Sequence, residues 1–234
     1  MLSYSDLIKR VLNSYVGHFK HVFMAVLFSL LWNIVIGILL VRLDALEQWI
    51  IPVLVVSAII SAYTELMLTA TFASVIEGKP GNVLQIWSAG LKRLPIFFPL
   101  LILWGLLMFF GFFLFFFPAI IFATWFMFLS AAVMLEGKTW LAAFARSKAL
   151  TSGFFFPLFL RAGVTIAVVI FIASAASRGF SYLMAYTYAL MRLTPTSAAI
   201  IANAFGAVLG ALLLPVITGT IVTLYYEMKK IKEA

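Results

Sequence analysis

The chain contains no cysteine among its 234 residues. That excludes disulfide bonds, thiolate metal sites and cysteine nucleophiles, and leaves the redox compartment open. Charge is scarce too: 10% of the residues are Asp, Glu, Lys or Arg, against roughly 25% in a soluble domain. Histidine occurs twice. His18 and His21 stand three residues apart with Asp6 as the only nearby acid, too few ligands for a metal site. There is no glycine-rich phosphate loop, nucleophile elbow or paired-carboxylate motif. The expectation is a protein that is not an enzyme and that carries no cofactor and no metal.

Apolar surface fills the chain instead. Hydrophobic residues make up 65% of it and the mean hydropathy is +1.16. The apolar runs are long and continuous, without the alternation of a barrel strand, and only helices or closed barrels satisfy their backbone groups in lipid. The expected fold class is therefore all-α integral membrane, with six transmembrane helices. They fall at about 21–41, 49–76, 95–116, 118–135, 154–176 and 197–226. The first run is too long for a signal-peptide core and reads as a retained span.

The net charge of +8 does not point to nucleic acid, because the basic residues lie at span ends. With the N-terminus inside, twelve of them, from Lys9 to Lys232, are cytoplasmic; Arg42, Arg178 and Arg192 fall outside, and Arg161 lies within a span. Such a bias sets orientation. It places a multi-pass protein in the cell membrane with both termini cytoplasmic. Residues 177–196 form the sizeable external segment, whose Tyr182, Tyr186 and Tyr188 suit an interfacial helix or hairpin. Anionic lipid accounts for the cytoplasmic cations.

Two stretches nearly repeat each other. Glu77-Gly78-Lys79 closes one apolar run and Glu136-Gly137-Lys138 closes another; Phe97-Phe98-Pro99-Leu100 follows the first and Phe155-Phe156-Pro157-Leu158 the second. Fixed-period similarity indicates one supersecondary unit used more than once. Each triplet reads as a helix exit, with Gly as C-cap and Lys at the interface. Three amphipathic segments precede the odd-numbered spans. The first carries Leu7 and Val11 on one face with Lys9 and Arg10 on the other, the second carries Trp87 opposite Lys92, and the third begins at Trp140. The chain is thus expected to form a single membrane domain of three parallel two-helix units, about 3–79, 82–138 and 139–230, braced by cytoplasmic amphipathic helices.

Polar residues inside spans are expensive and mark candidate sites. Glu65 lies near mid-depth of the second span, about 18 Å from Glu77 by helical rise. Arg161, about 12 Å inside the fifth span by the same rise, is its natural partner, unless it snorkels to the surface. Asn33 and Asn203 sit mid-span in the first and sixth helices and suit inter-helix hydrogen bonds. Gly206, Gly210 and Gly219, with Pro215, would thin or kink the sixth helix for close packing.

From Pro118 onward the chain also carries Pro118-Ala119-Ile120, Glu136-Gly137 and Ala143-Phe144-Ala145-Arg146-Ser147, then Leu150-Thr151, Gly153, Pro215 and Leu224-Tyr225-Tyr226. In these it resembles a group of bacterial and archaeal multi-pass membrane proteins, similar to the membrane domain that precedes the catalytic domain in some glycerophosphoryl diester phosphodiesterases. The metal-binding acids of that catalytic domain are not among these residues. The resemblance therefore implies the membrane module and no hydrolase activity.

The expected function is a non-enzymatic membrane module that binds membrane lipids, another membrane protein or a second copy of itself. A small transporter or channel using Glu65 and Arg161 is the alternative. The orientation is checked by single cysteines at Ser3, Arg178 and Glu233 in this cysteine-free chain. Position 178 should label with an impermeant reagent only from outside, and positions 3 and 233 only after the membrane is opened. Labelling of 178 from the cytoplasmic side alone would reverse the topology.

Overall fold

The structure, a computed structural model, describes residues 2–42, 49–79, 81–114, 116–191 and 195–233. It is all-helical, with no strand among the described residues. The helices are α1 (Tyr4–Gly17), α2 (Phe19–Arg42), α3 (Ile50–Ile76), α4 (Val83–Phe113), α5 (Phe117–Trp125), α6 (Leu129–Met134), α7 (Trp140–Thr151), α8 (Phe155–Met191) and α9 (Pro195–Lys232). Six helical segments are long and apolar enough to cross a membrane, with α5 and α6 together forming the fourth. This architecture is consistent with the expected multi-pass protein.

Both termini lie at one end of the bundle. The Leu2 N–H donates to Glu227 near the end of α9, and Glu233 pairs with Arg146 on α7. The core sits in this terminal half. Val22 to Val26 of α2, Ile60 to Ala73 of α3 and Val222 to Met228 of α9 contribute buried side chains to it, together with α6 and α7. α1 closes it from the side. Ser3 caps α1 by accepting from the Asp6 N–H at 3.2 Å. Leu7 and Val11 turn fully into the core, while Lys9 and Arg10 remain exposed. α9 carries glycine at the crossing: a Cβ on Gly219 would stand 2.7 Å from the Phe72 ring and 3.0 Å from Val11. Gly219 therefore serves the close packing expected of it.

The spans depart from the expected boundaries in three places. The second amphipathic segment is not separate, since α4 runs unbroken from Val83 through Pro95 and Pro99. Each proline removes one backbone hydrogen bond, a loss that membrane helices tolerate when neighbours cover the freed carbonyl. Separately, Tyr63 donates to the Trp87 carbonyl at 3.2 Å, which holds the start of α4 on α3. The segment expected to be external is in its first part simply the continuation of α8, which packs on α9 with the Phe180 and Phe205 rings stacked 4.0 Å apart. Residues 192–194 of that segment, Arg192 among them, lie outside the described residues. At 37 residues α8 is about 55 Å long by its rise, well beyond the roughly 30 Å of a hydrocarbon core.

The third departure is a break in the fourth span between α5 and α6. Ser147 of α7, fully buried, enters the break. Its hydroxyl donates to the Trp125 carbonyl at 2.8 Å and accepts from the Phe128 N–H at 3.1 Å. These are the groups that a broken helix leaves unpaired. The third amphipathic segment is thus not simply a surface helix, since Ala143, Phe144, Ser147, Leu150 and Thr151 are all buried. Trp140, at its start, is 59% exposed.

Ser147→Ala should cost about 2–4 kcal/mol of stability, because it orphans one buried acceptor and one buried donor. Denaturant titration of the detergent-solubilised protein measures this. A cost below about 0.5 kcal/mol would show that the break does not depend on Ser147.

Candidate functional site

The repeated triplets end their helices in the same way. Gly78 and Gly137 have φ of +68° and +66°, the left-handed C-cap that glycine adopts without strain. The turned-back chain then closes each end: the Lys79 N–H donates to the Ser74 carbonyl at 2.9 Å and the Lys138 N–H to the Ala132 carbonyl at 3.0 Å. The two glutamates, each just before its glycine, meet consecutive tyrosines of α9. Tyr226 donates its hydroxyl to Glu77, and Tyr225 donates to Glu136 at 2.7 Å. Beyond the repeat the two stretches diverge, because Ser152-Gly153 separates α7 from α8 where α4 is continuous.

Glu136 is the centre of a polar layer at the terminal end. Arg146 Nε reaches its two oxygens at 2.9 and 2.7 Å, Arg146 Nη2 adds a third contact at 2.8 Å, and Lys229 Nζ stands 3.9 Å away. Burial alone would push the Glu136 carboxyl up. Hydrogen bonds from Arg146 and Tyr225, with the charges of Arg146 and Lys229, outweigh it and hold the group below its usual range. The same contacts raise Arg146, the Glu136 hydrogen bond contributing most. The triplets were legible as helix exits in the sequence, but the role of their glutamates was not. The pair Tyr225-Tyr226 was the available signal.

The four intramembrane candidates do not form one cluster. Arg161 pairs with Glu227, Nη1 to Oε2 at 3.6 Å, and not with Glu65. The long side chain turns toward the terminal end, where the surroundings are polar. Glu65 instead meets Ser130, a buried hydroxyl on α6 just past the break. Depth along a helix carries no information on which way its face turns.

Asn33 and Asn203 do come together. They line a slot of about 550 Å³ between α2, α3 and α9 that also takes in Ser29, Ser61, Gly206 and Gly210. Asn33, Ser61 and Asn203 are all exposed. Asn33 Nδ2 donates within its own helix, to the Ser29 carbonyl at 2.7 Å, and does not bridge helices. Trp32, one residue earlier, ties α2 to α3 by donating to Ser57 at 2.9 Å. Gly206 and Gly210 are not close-packing positions, since a Cβ on either meets nothing within 4 Å. They face open space in the slot.

Among the described residues no group of three or more His, Cys, Asp or Glu is placed to hold a metal ion. No family model matches the chain, and neither a curated protein nor a solved structure is similar to it.

The layer around Glu136 makes stability depend on pH. Its carboxyl titrates lower in the folded protein than in the unfolded chain, where it titrates near 4.3. The stabilisation is therefore present above that value and lost as pH falls through the lower, folded one. Glu136→Gln should cost about 2–3 kcal/mol at neutral pH and flatten the loss of stability below pH about 4. Denaturation midpoints of both proteins across pH 3–7 measure it. Parallel curves would remove Glu136 as the cause.

Proposed function

We propose that this chain is a multi-pass module of the cell membrane, with both termini cytoplasmic, that binds a lipid chain in the slot between α2, α3 and α9. It is not an enzyme on this reading. The observation that carries it is the slot itself. It extends from Val26 to Ile36 on α2 and from Asn203 to Leu214 on α9, about 15 Å along each helix by rise. That equals about half of a 30 Å hydrocarbon core, the depth of one leaflet. Glycines open its wall on α9, and Ser29, Asn33, Ser61 and Asn203 give it polar atoms that match an ester, amide or hydroxyl on an otherwise apolar guest.

Three further points support a membrane module. The basic residues are biased toward the end that holds both termini. The matched glycine caps at Gly78 and Gly137 support the repeat of two of the three parallel two-helix units of this reading, and α1 is its amphipathic helix on the cytoplasmic side. The resemblance from Pro118 onward to the membrane domain of some glycerophosphoryl diester phosphodiesterases points to the same class of role, with lipids as partners before another membrane protein or a second copy. Transport is the second reading. Glu65 favours it, because a carboxylate beside Ser130 and a broken span is the arrangement in which membrane proteins carry ions or protons.

The slot can be filled without disturbing the fold. In Gly206→Leu/Gly210→Leu the new side chains enter open space. The variant should fold normally and lose at least about tenfold of any lipid that copurifies with the wild-type protein, since the slot is occupied. Lipid extraction and mass spectrometry of both proteins measure this. Equal lipid content in the two would sink the slot reading. A proton-coupled flux in liposomes that Glu65→Gln abolishes would favour transport.

A further inference from the structure

A second cleft, of about 580 Å³, opens at the terminal end between α1, α3 and α9. We infer that it binds the phosphate of an anionic lipid headgroup through Arg10 and Lys230. This site is separate from the slot, and its test does not depend on what the slot holds.

The placement of the two cations follows from the fold. Leu7 and Val11 bury the apolar face of α1 in the core, with Val11 beside Gly219 of α9. That seating brings Arg10, on the flank of the same helix, to the last turns of α9, where Lys230 projects. Both side chains are exposed, and neither forms an ion pair among the described residues. The cleft also contains one carboxylate, Glu227. Arg161 stands 3.6 Å from it, and the Leu2 N–H donates to it. Its charge is thereby offset, and the cleft presents the net charge of Arg10 and Lys230.

The rest of the lining separates into two kinds. Ile76, Ile231 and Leu2 are apolar, whereas Thr223 and Tyr226 are polar. The Thr223 hydroxyl donates to the Gly219 carbonyl and the Tyr226 hydroxyl to Glu77, so both donors are already engaged. Recognition therefore falls to the guanidinium and the ammonium, and the apolar side suits the start of an acyl chain. An arginine fork with a nearby lysine point charge is a phosphate-binding combination. A zwitterionic headgroup would bring its own cation into the same field and gain less.

The experiment is a lipid titration of the detergent-solubilised protein, read by native mass spectrometry. Phosphatidylglycerol and phosphatidylcholine of matched chains are compared. Wild-type protein should bind phosphatidylglycerol at least about tenfold more tightly. Each cation near an anionic surface contributes about fivefold in affinity, so Arg10→Gln/Lys230→Gln should weaken phosphatidylglycerol about 25-fold and leave phosphatidylcholine unchanged. Lys9→Gln/Lys20→Gln removes two exposed cations that do not line the cleft, and should change binding less than about threefold, as screened surface charge would. Glycerol phosphate is the soluble arm. If it displaces the lipid at comparable concentration, the phosphate site stands and a soluble ligand is its source; if it does not, the lipid is. Absence of any preference between the two lipids overturns the proposal. Equal losses in the two double variants overturn it also, because diffuse charge would then suffice. Gly206→Leu/Gly210→Leu should leave the headgroup preference intact, which separates failure of this site from failure of the slot.

Discussion

Two adjacent tyrosines on α9 hold the bundle together at its terminal end. Tyr225 and Tyr226 project to different sides of one helix, and each donates to the glutamate that closes a different span. α3 and α6 are thus tied to α9 by the same two-residue device. Each glutamate stands immediately before a glycine in the left-handed conformation, Gly78 or Gly137, where the chain leaves the helix. Arg146 adds α7 to the layer through Glu136, and Glu233 extends it to the end of the chain. Hydrogen bonds to charged groups are the stronger kind, and here they sit where the membrane reading places an interface, so the ions remain partly hydrated.

Such an anchored end leaves the rest of the bundle free to differ. The buried side chains of α2, α3 and α9 are concentrated in the terminal half. Toward the far end, α2, α3 and α9 present Asn33, Ser61, Asn203, Gly206 and Gly210 around open space instead of a packed seam. In water such a half-packed bundle would collapse. In lipid there is no hydrophobic force between helices to close it, so a slot persists for whatever chain fits it.

The broken fourth span follows the same rule from the opposite direction. A helix interrupted inside the apolar region must have its freed backbone groups covered by protein. Ser147 covers both, and by entering the break it draws α7 off the surface and into the core. Glu65 meets Ser130 a few residues further on. The intramembrane carboxylate and the irregular backbone are therefore neighbours, which is the reason Glu65 keeps a place in the transport reading while the slot carries the lipid one.

Composition and the length of the apolar runs determined the class of this protein, since lipid admits few structures and a run of about 20 apolar residues needs no tertiary help to be a helix. The repeated triplets also disclosed their glycine caps, because a cap is a local conformation. Depth along a helix could be read as well, and on it Arg161 was matched with Glu65. Rotation about each helix axis was not legible. The apolar faces that set it look alike to a linear reading, so the partners of Arg161, Glu65 and the two triplet glutamates were decided only when the helices packed. The fate of Gly206, Gly210 and Gly219 shows the same limit: three glycines on one helix, of which one meets Phe72 and two face a void.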